Sequence, residues 1–339
     1  MRLRLTSLLT FMFMCCNAHA AELTTITIGA SPAMSTLGIF IAQEKGYFKA
    51  QGIDAQITPF KASTGQMVPL LASGQMLVGA GNVAAGLYSA IANDIPIKIV
   101  ADKGQVSPGH GYLALIVRKE LVDNGRYKDF SSLKGMTMAV TATGVSQEIV
   151  TERYLKKAGL ELRDIKLVTL GYGDMNIALA NGALDATIQI EPYVAAAVEK
   201  NIAVRVSGND EIYPHQQSAV IMYSPVFIEK YPQLARNFMT AYVRALRDYN
   251  DAFEHGKGKK EILAILAKHT GGDAAAYANV VPVGLDPNGR VHLRSLKDDA
   301  RWFHEHGYLK KIPDLDSIVD FSYVEHAMSV LGPYLPPKN

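Results

Sequence analysis

The chain has 339 residues and a nearly balanced charge, with 34 lysines and arginines against 32 aspartates and glutamates. No run of basic residues is present, so the sequence disfavours nucleic acid and an anionic membrane surface as partners. A chain of this length exceeds what one hydrophobic core usually holds, and we therefore expect two domains.

The first 20 residues have the pattern of an export signal. A basic start precedes an apolar stretch over residues 8–16, and residues 18–20 (AHA) supply the small-x-small motif of a cleavage site. The apolar stretch is shorter than the ~20 residues that span a bilayer, which predicts cleavage after Ala20 and a periplasmic protein. Cys15 and Cys16 leave lipid attachment open as an alternative. They are the two cysteines of the chain, so the mature protein is expected to have no disulfide and no thiolate chemistry.

The first half of the mature chain alternates between strands and helices. Strands are predicted over residues 25–30, 55–60, 77–80, 97–101 and 112–118, and helices over residues 35–45, 65–72 and 83–92. A polar linker that contains glycine follows over residues 120–132. This alternation is typical of doubly wound parallel sheets.

Beyond the linker the alternation starts again. Strands are predicted over residues 136–140, 165–170, 186–190 and 203–207, and helices over residues 146–158, 175–180 and 193–200. A further strand over residues 219–224 precedes four helices, which are predicted over residues 232–255, 259–269, 293–306 and 322–331. The restart predicts a second α/β lobe.

A short phrase occurs twice and supports two similar lobes. Residues 71–79 read LASGQMLVG, and residues 179–187 read LANGALDAT. In both, a helix is predicted to end at a glycine, Gly74 or Gly182, in the left-handed conformation that terminates many helices. A buried strand then begins. Two copies of this unit predict two lobes that close on a ligand between them.

The loops that follow the predicted strands are rich in hydroxyl, glycine and amide groups. They span residues 31–36, 61–66 and 81–82 in the first lobe and residues 141–146, 171–174 and 191–193 in the second. Ligands of open α/β sheets bind at the carboxyl ends of the strands, and helix N-termini there hold anions through unpaired N–H groups. We therefore predict a site for a carboxylate, sulfonate or phosphate. The candidates in these loops are Ser35, Thr36, Ser63, Thr64, Gly65, Asn82, Thr141, Thr143, Gly144, Ser146, Glu191 and Tyr193.

The best anion site is predicted at the turn Thr141-x-Thr143-Gly144 together with Ser146. A tight turn into a helix is the structural alternative. For Ser35, Ser63, Asn82 and Ser146 the alternative is simple capping of a helix N-terminus.

Other polar side chains near these loops have two possible roles. His110 and Tyr112 follow a loop of glycine and proline, and either line the cleft around a ring or belong to a surface turn. Glu191 either accepts from an amino or hydroxyl group of a ligand or complements a helix N-terminus. Lys61 either supplies a compensating cation or is solvated, and Asp174 is expected to cap a helix.

The sequence gives no sign of a metal site or of catalysis. The nine histidines show no metal-ligand spacing, and His304 and His306 do not face the same way on a helix. The chain also lacks the G-x-S-x-G, P-loop and G-x-G-x-x-G motifs. We therefore expect no catalytic residue, metal or cofactor.

Several segments together resemble a known family. Residues 42–61 (AQEKGYFKAQGIDAQITPFK), LLASGQMLVGAG, LKKAGLELRDIKLVTL and ALANGALDATIQIEPY are similar to the periplasmic solute-binding proteins of ABC importers. The similarity is to the nitrate/sulfonate/taurine type, which includes binders of thiamine precursors and aromatic carboxylates. Some members of this superfamily make a pyrimidine and use a cysteine-rich motif, from which a mature chain without cysteine departs.

This resemblance implies an α/β fold of type II periplasmic binding proteins, with two doubly wound lobes joined by a two-segment hinge. Lobe 1 would comprise residues 22–112 and 219–339, lobe 2 residues 119–218, and the hinge would lie near residues 113–118 and 218–224. The resemblance also implies a monomer that passes a small-molecule ligand to an ABC permease in the inner membrane, which works with an ATPase subunit. We expect a small anionic organic solute, such as a sulfonate or an aromatic or aliphatic carboxylate. The alternatives are a thiamine-type pyrimidine precursor as ligand, or a role as a periplasmic ligand-sensing partner of a receptor.

Overall fold

The computed structural model describes residues 22–60, 64–275 and 277–337. The predicted export signal, Lys61 and Ser63 lie outside these residues. Within them, no helix combines the length and the apolar character that a membrane span requires.

The strands and helices alternate through most of the described chain. The strands are β1 (Thr24–Ala30), β2 (Ile53–Pro59), β3 (Val78–Asn82), β4 (Lys98–Gln105), β5 (Leu113–Arg118), β6 (Thr137–Val140), β7 (Lys166–Thr169), β8 (Ala186–Ile190), β9 (Ala203–Gly208) and β10 (Gln217–Tyr223). The helices are α1 (Leu37–Glu44), α2 (Tyr47–Ala50), α3 (Thr64–Ser73), α4 (Ala85–Ala92), α5 (Lys119–Asp123), α6 (Ser146–Lys157), α7 (Tyr172–Ala180), α8 (Tyr193–Glu199), α9 (Pro225–Lys230), α10 (Pro232–Glu254), α11 (Lys259–Thr270), α12 (Leu293–Glu305), α13 (Leu315–Ile318) and α14 (Ser322–Leu331).

The strands form two sheets with the same internal order. One sheet runs β2-β1-β3-β10-β4 and the other β7-β6-β8-β5-β9. In each, one strand comes from the other half of the chain and is antiparallel to its neighbours: β10 lies between β3 and β4, and β5 lies between β8 and β9. The prediction of two α/β lobes is therefore confirmed. Their sheets are mixed rather than purely parallel.

The chain passes between the two sheets over residues 106–112 and 209–216. The residues predicted as the hinge, 113–118 and 218–224, instead fall almost entirely on β5 and β10. Because hydrogen bonds on both sides hold β5 and β10 in their sheets, these strands are poor places for a hinge. The two connections between the sheets thus lie just before the residues predicted as the hinge, and a bending motion there stays a prediction.

The repeated phrase takes equivalent positions in the two lobes. Gly74 ends its helix with φ +74° and Gly182 with φ +78°, so both adopt the left-handed conformation. Leu71 and Leu179 are fully buried before them. The strands that follow, β3 and β8, take the same place in their sheets. The repeat therefore marks one structural unit used twice.

The core follows from the apolar pattern of the sequence. β5 and β10 are buried along almost their whole length, as expected for strands covered on both faces. Along α10, the buried side chains of Phe238, Tyr242, Leu246 and Tyr249 form one stripe at helical spacing. Burial of such a large apolar side chain contributes about 1.5–3 kcal/mol. This packing seats α10 in the core of lobe 1.

Candidate functional site

A cavity of about 300 Å³ lies between the two lobes, at the carboxyl ends of the parallel strands. All six predicted loops contribute to its wall. The lining residues are Ser31, Pro32, Phe60, Thr64, Met67, Ala80, Gly81, Asn82, Thr141, Val145, Gly171, Tyr172, Gly173, Asp174 and Tyr193. Of the predicted site residues, Thr64, Asn82, Thr141 and Tyr193 are therefore brought together. The strand-end position predicted from the sequence agrees with this cavity.

Aromatic side chains form much of the wall. Tyr172 and Tyr193 are stacked, with ring centroids 6.1 Å apart and an interplanar angle of 19°. Phe60, which directly follows β2, adds a third ring. Flat aromatic faces of this kind bind planar groups through dispersion and through contact with ring edges. The cavity is thus suited to a small planar ligand.

Tyr172 also joins the two lobes. Its phenolic oxygen accepts a hydrogen bond of 3.1 Å from Asn82 Nδ2, which lies at the end of β3 in lobe 1. Burial raises the pKa of Tyr172 to about 12, so the phenol keeps its proton at neutral pH. A protonated phenol with one bond already accepted still has a proton to donate.

Amide side chains of lobe 2 hold the tyrosine pair in place. Gln189 Nε2 donates to the backbone oxygen of Tyr172 at 2.9 Å and to Asn176 Oδ1 at 2.9 Å. Asn176 Nδ2 in turn donates to the backbone oxygen of Tyr193 at 2.9 Å. These bonds tie the backbones at the two tyrosines to each other through Gln189 and Asn176.

The wall carries little formal charge. Among the lining residues that the structure describes, Asp174 is the one acid, and none is a lysine, an arginine or a histidine. Asp174 lies in the first turn of α7 and is exposed. A carboxylate there accepts hydrogen bonds from ligand donors, and its charge disfavours an anionic group beside it.

Ser35 and Thr36 do not line the cavity, because the short turn over residues 34–36 directs both into the core of lobe 1. Ser35 Oγ accepts from the buried Lys103 Nζ at 2.8 Å. Thr36 Oγ1 donates to the backbone oxygen of Ser31 at 2.7 Å, which steadies a loop that does reach the cavity. Both hydroxyls thus bond within lobe 1.

Three residues of the anion site predicted at the start of α6, Thr143, Gly144 and Ser146, lie outside the cavity wall. The Ser146 amide donates to the backbone oxygen of Val83 in lobe 1 at 3.1 Å. The Gly144 amide donates to Glu148 Oε2 at 2.8 Å, and Thr143 is exposed. The amides of Gly144 and Ser146 therefore already have protein acceptors.

Gly65, His110 and Tyr112 also lie outside the wall. The Cα of Gly65 packs so closely on Gly86 that a Cβ at Gly86 would lie 3.1 Å from it. His110 Nε2 contacts Glu254 Oε1 at 2.7 Å, which agrees with a surface turn rather than a ring-binding residue. Tyr112 is buried, with its hydroxyl 2.5 Å from Ser218 Oγ.

Glu191 is buried where the lobes meet and is only 1% exposed. Its carboxylate accepts from the amide of Ala195 at 3.1 Å and from the amide of Val281 in lobe 1 at 3.3 Å. Arg205 Nη1 lies 3.7 Å away. Burial raises the pKa of Glu191 to about 7, although these partners act against the shift. The carboxylate therefore complements the start of α8 and binds lobe 1 rather than the cavity.

Phe60, Met67 and Tyr172 line the cavity but were not among the predicted site residues. They were not predicted, because apolar and aromatic side chains at the end of a strand are as typical of a hydrophobic core as of a ligand site. Their position directly after β2 or at the start of α3 and α7 was the available signal.

Two sheets of equal strand order, with a ligand-sized cavity between their carboxyl ends, define the fold of type II periplasmic binding proteins. Solved structures agree. The nitrate-binding protein of Synechocystis PCC 6803 superposes with a TM-score of 0.75 at 16% identity, covering 92% of this chain and 90% of that one. The alkanesulfonate-binding protein of Xanthomonas axonopodis pv. citri, bound to MOPS, gives 0.71 at 19% identity, covering 89% and 100%.

Residues 33–258 match the sequence model described as NMT1/THI5 like, and the chain belongs to this family. A curated relative is the 4-amino-5-hydroxymethyl-2-methylpyrimidine phosphate synthase THI5 of Saccharomyces cerevisiae, 27% identical over 235 residues. The match covers 65% of this chain and 65% of the length of that synthase. The bicarbonate transport ATP-binding protein CmpC of Synechococcus elongatus is 24% identical over 241 residues, 67% of this chain and 35% of that protein.

Proposed function

We propose that this protein is the solute-binding component of an ABC importer. It captures a small organic solute between its lobes in the periplasm and, as a monomer, delivers it to a permease in the inner membrane that works with an ATPase subunit. The observation that carries this proposal is the cavity between the lobes, to which all six of the predicted loops contribute. The fold shared with nitrate- and sulfonate-binding proteins supports it.

The ligand that fits this cavity best is small and planar. A volume of about 300 Å³ is at the small end of ligand sites, and Tyr172 and Tyr193 offer a stacked aromatic surface. An aromatic carboxylate or sulfonate would stack there and direct its anionic group to the N-termini of α3 and α7, which both begin at the cavity.

A thiamine-type pyrimidine is the second candidate, and Asp174 favours it. A carboxylate in the wall accepts hydrogen bonds from an exocyclic amino group, and Asn82 can pair with a ring nitrogen or amino group. The same carboxylate would repel an anion. The pyrimidine chemistry in the name of the yeast relatives is consistent with this candidate.

A thermal melting screen tests the proposal. The purified protein would be heated with aryl and alkyl sulfonates, aromatic carboxylates and aminopyrimidines. A ligand at 100 times its dissociation constant stabilises a protein by about 2.7 kcal/mol, so a true ligand raises the midpoint measurably. The variant Asp174→Asn separates the two classes: it should lose a pyrimidine and retain or strengthen binding of an anion.

Two outcomes would contradict the proposal. If no compound of either class shifts the midpoint, the small-ligand role is wrong. If the protein converts the bound compound into a product, it is an enzyme. We propose that it is not, because neither the sequence motifs nor the described wall of the cavity shows a nucleophile paired with a base.

A further inference from the structure

We propose that the N-terminal half of α6 is a closure latch, by which Glu148 and Glu152 of lobe 2 hold Trp302, His306 and Tyr308 of lobe 1. The latch sets how readily the lobes close, and thereby the affinity for ligand, although none of its residues touches the cavity. This inference rests on the proposed function, because it treats closure as the step that binds the ligand.

The latch consists of hydrogen bonds between the lobes. The Tyr308 hydroxyl donates to Glu148 Oε1 at 2.6 Å, and Trp302 Nε1 donates to Glu152 Oε2 at 2.8 Å. His306 Nε2 lies 2.8 Å from Glu152 Oε1. Glu148 and Glu152 are four residues apart in α6, so both carboxylates project from the same face of the helix.

The lobe 1 side of the latch is rigid. The Trp302 ring stacks on His306, with centroids 3.9 Å apart, and faces Tyr308 at 6.0 Å. His306 Nδ1 also contacts the backbone oxygen of Trp302 at 2.9 Å. The donors are therefore fixed relative to one another before the lobes meet, so little side-chain freedom is lost when the bonds form.

The carboxylates of Glu148 and Glu152 are buried acceptors for these hydrogen bonds. Glu148 is 4% exposed and Glu152 7% exposed, so both carboxylates depend on protein donors when the lobes are closed. Burial raises the pKa of Glu152, but hydrogen bonds from Lys156, Trp302 and His306 outweigh it, and the net pKa lies below its usual value. Glu152 is thus a charged acceptor in the closed protein, and charged acceptors make the stronger hydrogen bonds.

Backbone contacts beside the latch show that α6 is seated on lobe 1. The amide of Ser146 donates to Val83, and the amide of Ala85 donates to the oxygen of Gly144 at 2.8 Å. These bonds flank an antiparallel bridge between Ala84 and Val145. A non-hydrogen-bonded antiparallel pair of this kind has a Cα–Cα distance of about 4.5 Å, which is within the range of a disulfide.

Disulfide trapping at this bridge tests the latch without any ligand. Ala84→Cys and Val145→Cys would be combined with Cys15→Ser and Cys16→Ser, so that no other thiol is present. In the reduced protein, the rate of cross-linking in a glutathione buffer is proportional to the fraction of time that the lobes are closed.

Tyr308→Phe and Glu152→Gln, each introduced into this double-cysteine protein, should slow cross-linking by about tenfold, because the first removes a hydrogen bond between the lobes and the second removes the charge that strengthens the bonds to Trp302 and His306. Tyr231→Phe is the matched control, because Tyr231 is exposed and takes no part in the latch; its rate should equal that of the parent. Circular dichroism confirms that the variants are folded. Equal rates in the parent and in both latch variants would overturn the proposal. Because no ligand is used, this result is independent of the ligand screen.

Discussion

At the scale of single residues, Tyr172 connects the cavity wall to both lobes. Its hydroxyl contacts Asn82 of lobe 1, its ring stacks on Tyr193, and its backbone oxygen is held by Gln189. One side chain thus supplies a flat surface and a polar group to the cavity while it joins the lobes. Substitutions at this position should separate the contribution of the ring from that of the hydroxyl.

Tyr172→Ala should weaken binding of the best compound from the melting screen by about tenfold or more, because the planar surface is lost. Tyr172→Phe keeps the ring and loses only the bond from Asn82, so its effect should be smaller. Isothermal titration calorimetry measures both affinities. Binding that survives the alanine substitution unchanged would remove this wall from the ligand site.

The buried carboxylate of Glu191 should make stability depend on pH. Burial raises its pKa to about 7 from a usual value near 4.5, so the folded protein binds more protons than the unfolded chain between these values. The free energy of unfolding should therefore fall as pH rises through this window. Glu191→Gln should make this decrease in the free energy of unfolding smaller. The slope becomes smaller rather than zero, since burial also raises the pKa values of Asp102 and Asp299.

Urea unfolding at pH 5 and at pH 7.5 measures this change. Glu199→Gln is the matched control, because Glu199 is exposed at the end of α8, the helix that begins two residues after Glu191; this variant should keep the slope of the parent. A slope that is equal in the Glu191 variant and the parent would show that this carboxylate has the same proton affinity in the folded and unfolded protein.

At the scale of elements, the close approach of β3 to α3 shapes one side of the cavity. A Cβ added at Gly81 would lie 2.4 Å from Thr64 Oγ1, and Thr64 is 2% exposed. Only a residue without a side chain therefore lets α3 begin at this distance from the strand. Both residues line the cavity, so this packing also fixes the position of the Thr64 hydroxyl.

Gly81→Ala should destabilise the protein by about 1–3 kcal/mol through overpacking, and it should weaken ligand binding because Thr64 must move. Gly173→Ala is the control in the same cavity, since an added Cβ there would be no nearer than 4.0 Å to another atom. Thermal melting with and without ligand measures both effects. An unchanged midpoint in the Gly81 variant would mean that α3 shifts without cost.

At the scale of the whole molecule, the described residues of the two lobes meet at the cavity, at the contact of Glu191 with Val281, at the latch on α6 and at the bridge between Ala84 and Val145. Only the first would touch a ligand. The apparent affinity for ligand is the intrinsic affinity reduced by the fraction of protein that can close, so contacts away from the cavity also set it.

Trp302 is the only tryptophan of the chain, and its indole bonds to Glu152 in the other lobe. If ligand binding closes the lobes, a saturating amount of the best compound from the screen should shift the emission of this tryptophan. Fluorescence titration measures the shift, and Glu152→Gln should reduce it at equal occupancy. Emission that stays the same at saturation would show that Trp302 has the same surroundings in both states.

Much of the architecture was predictable because it depends on local pattern. Apolar runs and glycine helix ends placed most strands and the longer helices near their observed bounds, and the repeat at Gly74 and Gly182 predicted two lobes. The short helices α2, α5, α9 and α13 were not predicted, since segments of one or two turns give little periodic signal. The insertion of β5 and β10 into the opposite sheets was also beyond local pattern, because pairing partners far apart in the chain leave no trace in one sequence.

The sequence by itself determined the fold class, the repeat and the loops that surround the cavity, because the ends of strands and the starts of helices depend on the order of neighbouring residues. Only the tertiary structure decided which side chains within those loops face a ligand. Ser146, Gly144 and Glu191 look like ligand contacts in the sequence. Ser146 and Glu191 instead bond to the other lobe, and the Gly144 amide bonds to Glu148 within its own lobe. A hydrogen-bonding group bonds whichever partner the fold brings near, and that partner is fixed by the packing of distant segments.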